Sequence, residues 1–138
     1  NKPRLLYITF DETDEYAHEG KYGQYLKAAN ALDGFIENLW DWLQNDYRYK
    51  NKTTLIVTTD HGRGDDPIDY WRHHGSDVEG AGKVWIAVLG PDTPALGEID
   101  HSITIYSLQI AKTISTLLGV EYTNKEAVGN VIERMIHD

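Results

Sequence analysis

The chain has 138 residues, no cysteine, and 22 acidic against 13 basic side chains, for a formal net charge of −9. That length holds one domain or a portion of one. The acidic balance excludes a nucleic-acid partner, because no basic patch is present to neutralise phosphates. Small phosphate esters stay open as substrates, since a bound cation reverses the local field. Without cysteine there is no disulfide and no thiolate site, so any metal must be held by histidine and carboxylate. No apolar run is long enough to span a membrane. The chain starts at Asn1 rather than Met, which fits removal of an upstream segment and leaves the compartment unread.

Residues 4–10, Arg-Leu-Leu-Tyr-Ile-Thr-Phe, are nearly continuously apolar and predict a strand buried on both faces, as in a parallel sheet. The acidic stretch 11–20 is expected to be irregular or a short helical turn. A long helix follows over Tyr22–Tyr47. Tyr25, Ala28, Ala29, Leu32, Phe35, Ile36, Leu39 and Leu43 recur at steps of three and four on its inner face. Gly34 is a mild defect in it, costing about 1 kcal/mol relative to Ala.

The β-branched run Thr53–Thr59 predicts the next strand. Strand, helix, strand reads as a β-α-β unit with parallel strands and a right-handed crossover. Residues 60–83 hold five Gly and five Asp without apolar periodicity, a loop long enough to suggest function. Trp71 within it argues for order, because a large indole prefers to be packed. Residues 84–89 predict a third buried strand, ended by a turn at Gly90-Pro91-Asp92. After a loop over 93–102, a helix over Ser107–Leu118 is expected. It would bury Leu108, Ala111, Ile114, Leu117 and Leu118, with Gly119 as its C-cap. In the tail, Val128, Val131, Ile132 and Met135 fit either a short helix or a sheet edge. The expected fold is α/β, a mostly parallel sheet flanked by helices, in a single domain over 1–138.

In open α/β sheets, ligands collect beyond the carboxyl ends of the parallel strands. Asp11, Asp14 and His18 follow the first predicted strand, Asp60 and His61 follow the second, and the loop brings His73 and His74. Asp14 and His18, four residues apart, share a face on any helical turn and can grip one ion. Nitrogen and carboxylate donors together suit zinc, manganese or iron better than calcium. Asp60 and His61 are adjacent, so on an extended backbone they point apart; a loop conformation or two neighbouring ions would reconcile them. Gly62 and Gly64 flank Arg63 and would permit a sharp turn.

Each of these residues also has an ordinary structural role open to it. An acid after a strand is often only a turn or cap residue, and one of His73 and His74 is expected to be solvated. Arg63 and Arg72 are read as neutralising the acidic rim ahead of binding phosphate. Asp65, Asp66, Asp69 and Asp77 are read as solvated, and His101 and His137 as structural or exposed.

Three segments together resemble the alkaline phosphatase superfamily, metalloenzymes that include phosphodiesterases/nucleotide pyrophosphatases, cofactor-independent phosphoglycerate mutases and sulfatases. They are Asp14-Glu15-Tyr16-Ala17-His18, Thr58-Thr59-Asp60-His61-Gly62, and Trp71-Arg72-His73-His74-Gly75 with the Gly82–Pro91 segment after it. Residues 109–119 are similar to the closing helix of that superfamily. The resemblance implies two divalent ions, zinc ahead of manganese. Asp14, His18 and His74 would hold the first, and Asp60 and His61 the second. His74 is preferred over His73 because it directly precedes Gly75.

The resemblance further implies an additional Asp and a Ser or Thr nucleophile, which no stretch of this chain matches. They are expected on an N-terminal segment of the same protein, so the chain resembles an incomplete, C-terminal part of such a fold. The implied activity of the complete enzyme is hydrolysis of small phosphate esters, with the 138-residue piece alone inactive. Sulfatase or phosphomutase chemistry on the same scaffold, and a non-catalytic metal-binding α/β module, are the alternatives. Export to the periplasm or secretion fits the resemblance and the lack of cysteine.

Overall fold

A computed structural model describes residues 3–99 and 104–136. They form five regular elements joined by loops and short 3-10 turns: helix α1 (Glu12–His18), helix α2 (Tyr22–Asn45), strand β1 (Leu55–Thr58), strand β2 (Ile86–Leu89) and helix α3 (Ile110–Leu117). The chain divides into two compact units, one of Asn1–Lys50 and Thr58–Ile86, the other of Asn51–Val57 and Ala87–Asp138.

In the first unit, α1 and α2 pack together as a helical hairpin. Helix α1 carries Glu12, Asp14 and Glu15 in its first turn and His18 in its last, the distribution that complements a helix dipole. Ala17 is fully buried beneath it. The Arg72 guanidinium donates to the His18 carbonyl at 3.1 Å and so satisfies an orphan acceptor at the C-terminal end of α1. Helix α2 runs over nearly the span its periodicity predicts. Tyr25, Ala28, Leu32, Ile36, Leu39 and Leu43 lie on its more buried face, whereas Ala29 and Phe35 are exposed.

The expected strand over 4–10 does not form: these residues lie in no regular element, and Leu5, Leu6, Tyr7, Ile8 and Phe10 are exposed. A strand exists only through a hydrogen-bonded neighbour, and among the described residues β1 and β2 are the strands that pair. The run is anchored at its far end, where Phe10 meets Phe35 edge-on at 5.2 Å. The β-α-β unit and the parallel sheet are therefore corrected.

The two strands that form are antiparallel. Gly90 lies against Thr54, while the Thr58 hydroxyl donates to the Trp85 carbonyl at 2.7 Å. The end of one strand thus faces the start of the other. The residues remain an α/β arrangement, with a two-stranded sheet in place of a parallel one.

In the second unit, a 3-10 turn over Ser107–Gln109 leads into α3, and Gly119 closes the helix at φ +66°, as a C-terminal glycine should. The most buried positions on α3 are Thr113 and Ser115. The Thr113 hydroxyl donates to the Gln109 carbonyl at 2.9 Å and accepts the Ile132 amide at 3.0 Å, which pins the tail to the helix. The tail is mostly irregular with a 3-10 turn at Glu133–Met135. It buries Ile132 and Met135, and the Thr93 hydroxyl donates to the Met135 carbonyl. His101 and His137 lie outside the described residues.

Candidate metal centre

The segment after β1 is held by backbone hydrogen bonds, not by a turn at its glycines. The Gly62 amide donates to Ala81, Gly64 to His73 and Asp65 to Glu79, at 2.7, 3.1 and 3.1 Å. Residues 62–65 are thereby laid against two later parts of the same loop. Neither Gly62 nor Gly64 has a positive φ, so the expected sharp turn is absent. Their glycine character serves close approach instead: a Cβ on Gly62 would stand 2.7 Å from the Gly80 carbonyl, and one on Gly64 2.6 Å from the Tyr70 carbonyl. Only Gly fits where backbones meet this closely.

The far part of the loop is ordered by aromatic packing. Trp71, in a 3-10 turn (Ile68–Arg72), meets Tyr22 and Tyr25 of α2 edge-on at 5.3 and 5.8 Å. That contact ties the loop to α2 just before His73 and His74. His73 stays exposed beside Tyr70, and His74 turns inward.

Asp14, His18 and His74 converge, each offering a donor atom within 4.8 Å of the others. The Nε2 atoms of His18 and His74 are 3.1 Å apart, a separation at which at least one ring presents its lone pair. Asp14 Oδ2 is 3.3 Å from His18 Nε2, and Asp14 Oδ1 is 3.6 Å from His74 Nε2. The spacing of four residues on α1 makes the first pair, and the Trp71-anchored loop delivers the third member.

His61 joins the same group. Its ring stacks on His74 at 3.7 Å, and its Nε2 lies 3.5 Å from Asp14 Oδ1. With Nδ1–H donating to the Gly62 carbonyl at 2.9 Å, the neutral ring carries its lone pair on Nε2, facing Asp14. Asp60 does not join. Its side chain is 88% exposed, its Oδ1 accepts the His61 amide at 3.0 Å, and the His61 ring nitrogen is 3.8 Å away. Asp11 sits at the N-cap of α1 without a side-chain cap bond.

Burial is the main reason that His74 titrates below the usual imidazole range; the His61 ring adds to this, and the Asp14 carboxylate opposes it. The neutral ring that this shift favours is the form able to ligate a metal. One carboxylate oxygen and several imidazole nitrogens, mutually close and half-exposed, form a donor set suited to a divalent transition ion.

Arg63 completes the cluster. Its guanidinium Nη2 is bonded to Asp14 Oδ1, while its Nη1 is buried without a hydrogen-bond partner among the described residues. Sequence reading placed Arg63 on an acidic rim, whereas the structure puts it on one particular candidate ligand. Arg72 binds a helix-end carbonyl instead of an acid. The packing of Tyr22 and Tyr25 on Trp71 was not anticipated. Its sequence signal is the three-residue spacing of two tyrosines on the first turn of a helix. Of the loop acids read as solvated, Asp65 is in fact paired with Lys83.

A family model described as type I phosphodiesterase / nucleotide pyrophosphatase matches residues 1–103. Two proteins of Leptospira interrogans, from serovars Lai and copenhageni, are each 32% identical to this chain over 66 residues. Both are described as probable 2,3-bisphosphoglycerate-independent phosphoglycerate mutases. The match covers 48% of this chain and 11% of each relative, so the chain spans about a tenth of their length. No solved structure matches.

Proposed function

The chain belongs to the type I phosphodiesterase / nucleotide pyrophosphatase family, within the alkaline phosphatase superfamily, and from that premise we propose that it supplies metal-holding residues for hydrolysis of small phosphate esters. The observation that carries this reading is the convergence of Asp14, His18 and His74 from a helix and a distant loop. These three would hold one divalent ion, zinc by donor type, with manganese next. Asp60 and His61 would hold a second, completed by donors on an N-terminal segment that also carries the nucleophile. Such ions, when bound, act as Lewis acids toward a phosphoryl group.

The chain's own residues contribute position and charge. His61 and His74 present ring nitrogens toward Asp14, α1 fixes Asp14 relative to His18, and the Trp71 contact holds the His74 loop in reach. Without the nucleophile the 138-residue chain alone is inactive. The test uses the intact protein and an aryl phosphate ester. Chelation should abolish release of inorganic phosphate, and zinc or manganese should restore it. Asp14→Asn should lower turnover by more than the ~10–100-fold typical of losing a residue that only hydrogen-bonds to a metal ligand. Full activity after chelation, or in the variant, rules the reading out.

A phosphomutase is the second reading, favoured by the names of the two relatives. It predicts transfer of a labelled phosphoryl group between hydroxyls of one substrate, with little free phosphate.

A further inference from the structure

Arg63 is the basic side chain in contact with the Asp14 carboxylate, and its place is set by more than attraction. Its backbone is clamped on both sides, by the Gly62 amide bond to Ala81 and the Gly64 amide bond to His73. A Cβ on Gly80 would stand 2.5 Å from the Arg63 carbonyl, so the two backbones approach closely there.

The side chain is only 17% exposed, yet half of its fork is unsatisfied. Nη2 is spent on Asp14 Oδ1, and the buried Nη1 has no hydrogen-bond partner among the described residues. A buried donor left unmade favours another position for the group. The oxygen that Arg63 takes is the one nearest to two imidazoles, His61 Nε2 at 3.5 Å and His74 Nε2 at 3.6 Å. It is thus the carboxylate atom that a cation shared by Asp14 and His74 would need.

We propose that Arg63 is a built-in counter-cation of the metal centre: it holds Asp14 when no ion is bound and competes with the incoming ion for that carboxylate. This rests on the proposed metal-binding reading of Asp14, His18 and His74. Without an ion, the Asp14 carboxylate needs a cationic partner, and the guanidinium supplies a charge that no accessible pH removes. When an ion arrives, two positive groups contend for one oxygen and repel each other. Arg63 therefore sets the metal affinity lower than the donor atoms alone would make it, and keeps the cluster assembled between loadings.

The experiment is calorimetric titration of the metal-free intact protein with zinc chloride and, separately, manganese chloride, for wild type, Arg63→Met and Arg63→Lys. Thermal unfolding of the metal-free forms is followed in parallel. Arg63→Met should bind the ion at least about tenfold more tightly, because a unit charge a few ångströms away has been removed. Its metal-free form should melt at a lower temperature, with the loss recovered on loading. Arg63→Lys keeps the charge but not the fork, and should bind with an affinity at or between those of wild type and Arg63→Met. Folded Arg63→Met that binds no more tightly than wild type overturns the proposal. If Arg63→Met does not fold by circular dichroism, Arg63→Lys decides: weaker binding than wild type overturns the proposal, and equal or tighter binding supports it. A wild type that binds neither ion removes the metal-centre reading itself, an outcome distinct from failure of Arg63 alone.

Discussion

The imidazole rings of His61 and His74 stack face to face, with centroids 3.7 Å apart and planes 11° from parallel. His61 follows the end of β1, and His74 lies at the far side of the long loop. Their stacking closes that loop around the Asp14 carboxylate, which both Nε2 atoms approach.

Two substitutions separate the roles of the His61 ring. His61→Phe keeps a ring to stack on His74 but removes the nitrogen. His61→Ala removes both. The phenylalanine variant of the intact protein should lose one of two bound ions and keep the other with near-normal affinity. The alanine variant should in addition weaken the remaining ion by about two- to tenfold, the equivalent of an aromatic pair worth ~0.5–1.5 kcal/mol. Metal content by mass spectrometry after dialysis checks both. Identical stoichiometry and affinity in the two variants would mean that the stack does nothing for His74.

Trp71 is expected to matter for metal affinity although it touches no donor atom. Trp71→Ala removes the edge-on contacts to Tyr22 and Tyr25. It should destabilise the protein by about 2 kcal/mol, less than the ~3–5 kcal/mol of a fully buried aromatic. It should also raise the dissociation constant for zinc, because His74 is then held by fewer contacts. Trp71→Phe should recover most of both effects. Denaturant unfolding and calorimetric titration of the same samples give the two numbers.

Glycines in two settings should respond in opposite directions. A Cβ at Gly64 would lie 2.6 Å from the Tyr70 carbonyl and 2.7 Å from its Cβ, so Gly64→Ala should cost ~1–3 kcal/mol by overpacking. A Cβ at Gly34, inside α2, meets nothing within 4 Å. Gly34→Ala should therefore stabilise by ~0.5–1 kcal/mol, from helix propensity and a less flexible unfolded chain. Urea midpoints at constant m-value measure both.

The turn after α2 gives a pH signature separate from the candidate metal centre. Asp46 accepts hydrogen bonds from the Arg48 guanidinium and from its amide, the main causes that lower the carboxyl from 3.8 to about 2. A depressed folded-state pKa means that the unfolded chain takes up the proton first on acidification. The contribution of this pair is thus complete above the ordinary carboxyl range and is lost as pH falls from near 4 through about 2. Carbon-detected NMR titration should find Asp46 near 2, and Arg48→Ala should return it toward ~3.9. An ordinary Asp46 value in the wild type would show that the pair does not persist in solution.

Some of this was legible without coordinates because it is local. The three- and four-residue recurrence of Tyr25, Leu32, Ile36, Leu39 and Leu43 specified α2 nearly to its ends, since a helix is built from contacts within a turn or two. The spacing of Asp14 and His18 placed them on one helical face for the same reason. Trp71 was a sound sign of an ordered loop, because an indole of that size rarely stays in water. The failures were non-local. Residues 4–10 have the composition of a buried strand, but composition does not name a pairing partner, and among the described residues none supplies one. The mostly parallel sheet was misjudged on the same ground: apolar runs are alike whether strands pair parallel or antiparallel.

The sequence alone determined the chemical kind of this protein: no thiols, an acidic balance, and histidines and carboxylates in the order of a phosphodiesterase-related family that its first 103 residues match. The tertiary structure decided which of those donors meet. It sent His61 toward Asp14 and left Asp60 in solvent, because the loop is held by backbone hydrogen bonds at Gly62 and Gly64, which no side-chain pattern records. It also placed Arg63 on the Asp14 oxygen nearest the imidazoles, since the partner of a long cation depends on which backbone segments are pressed together, not on their distance along the chain.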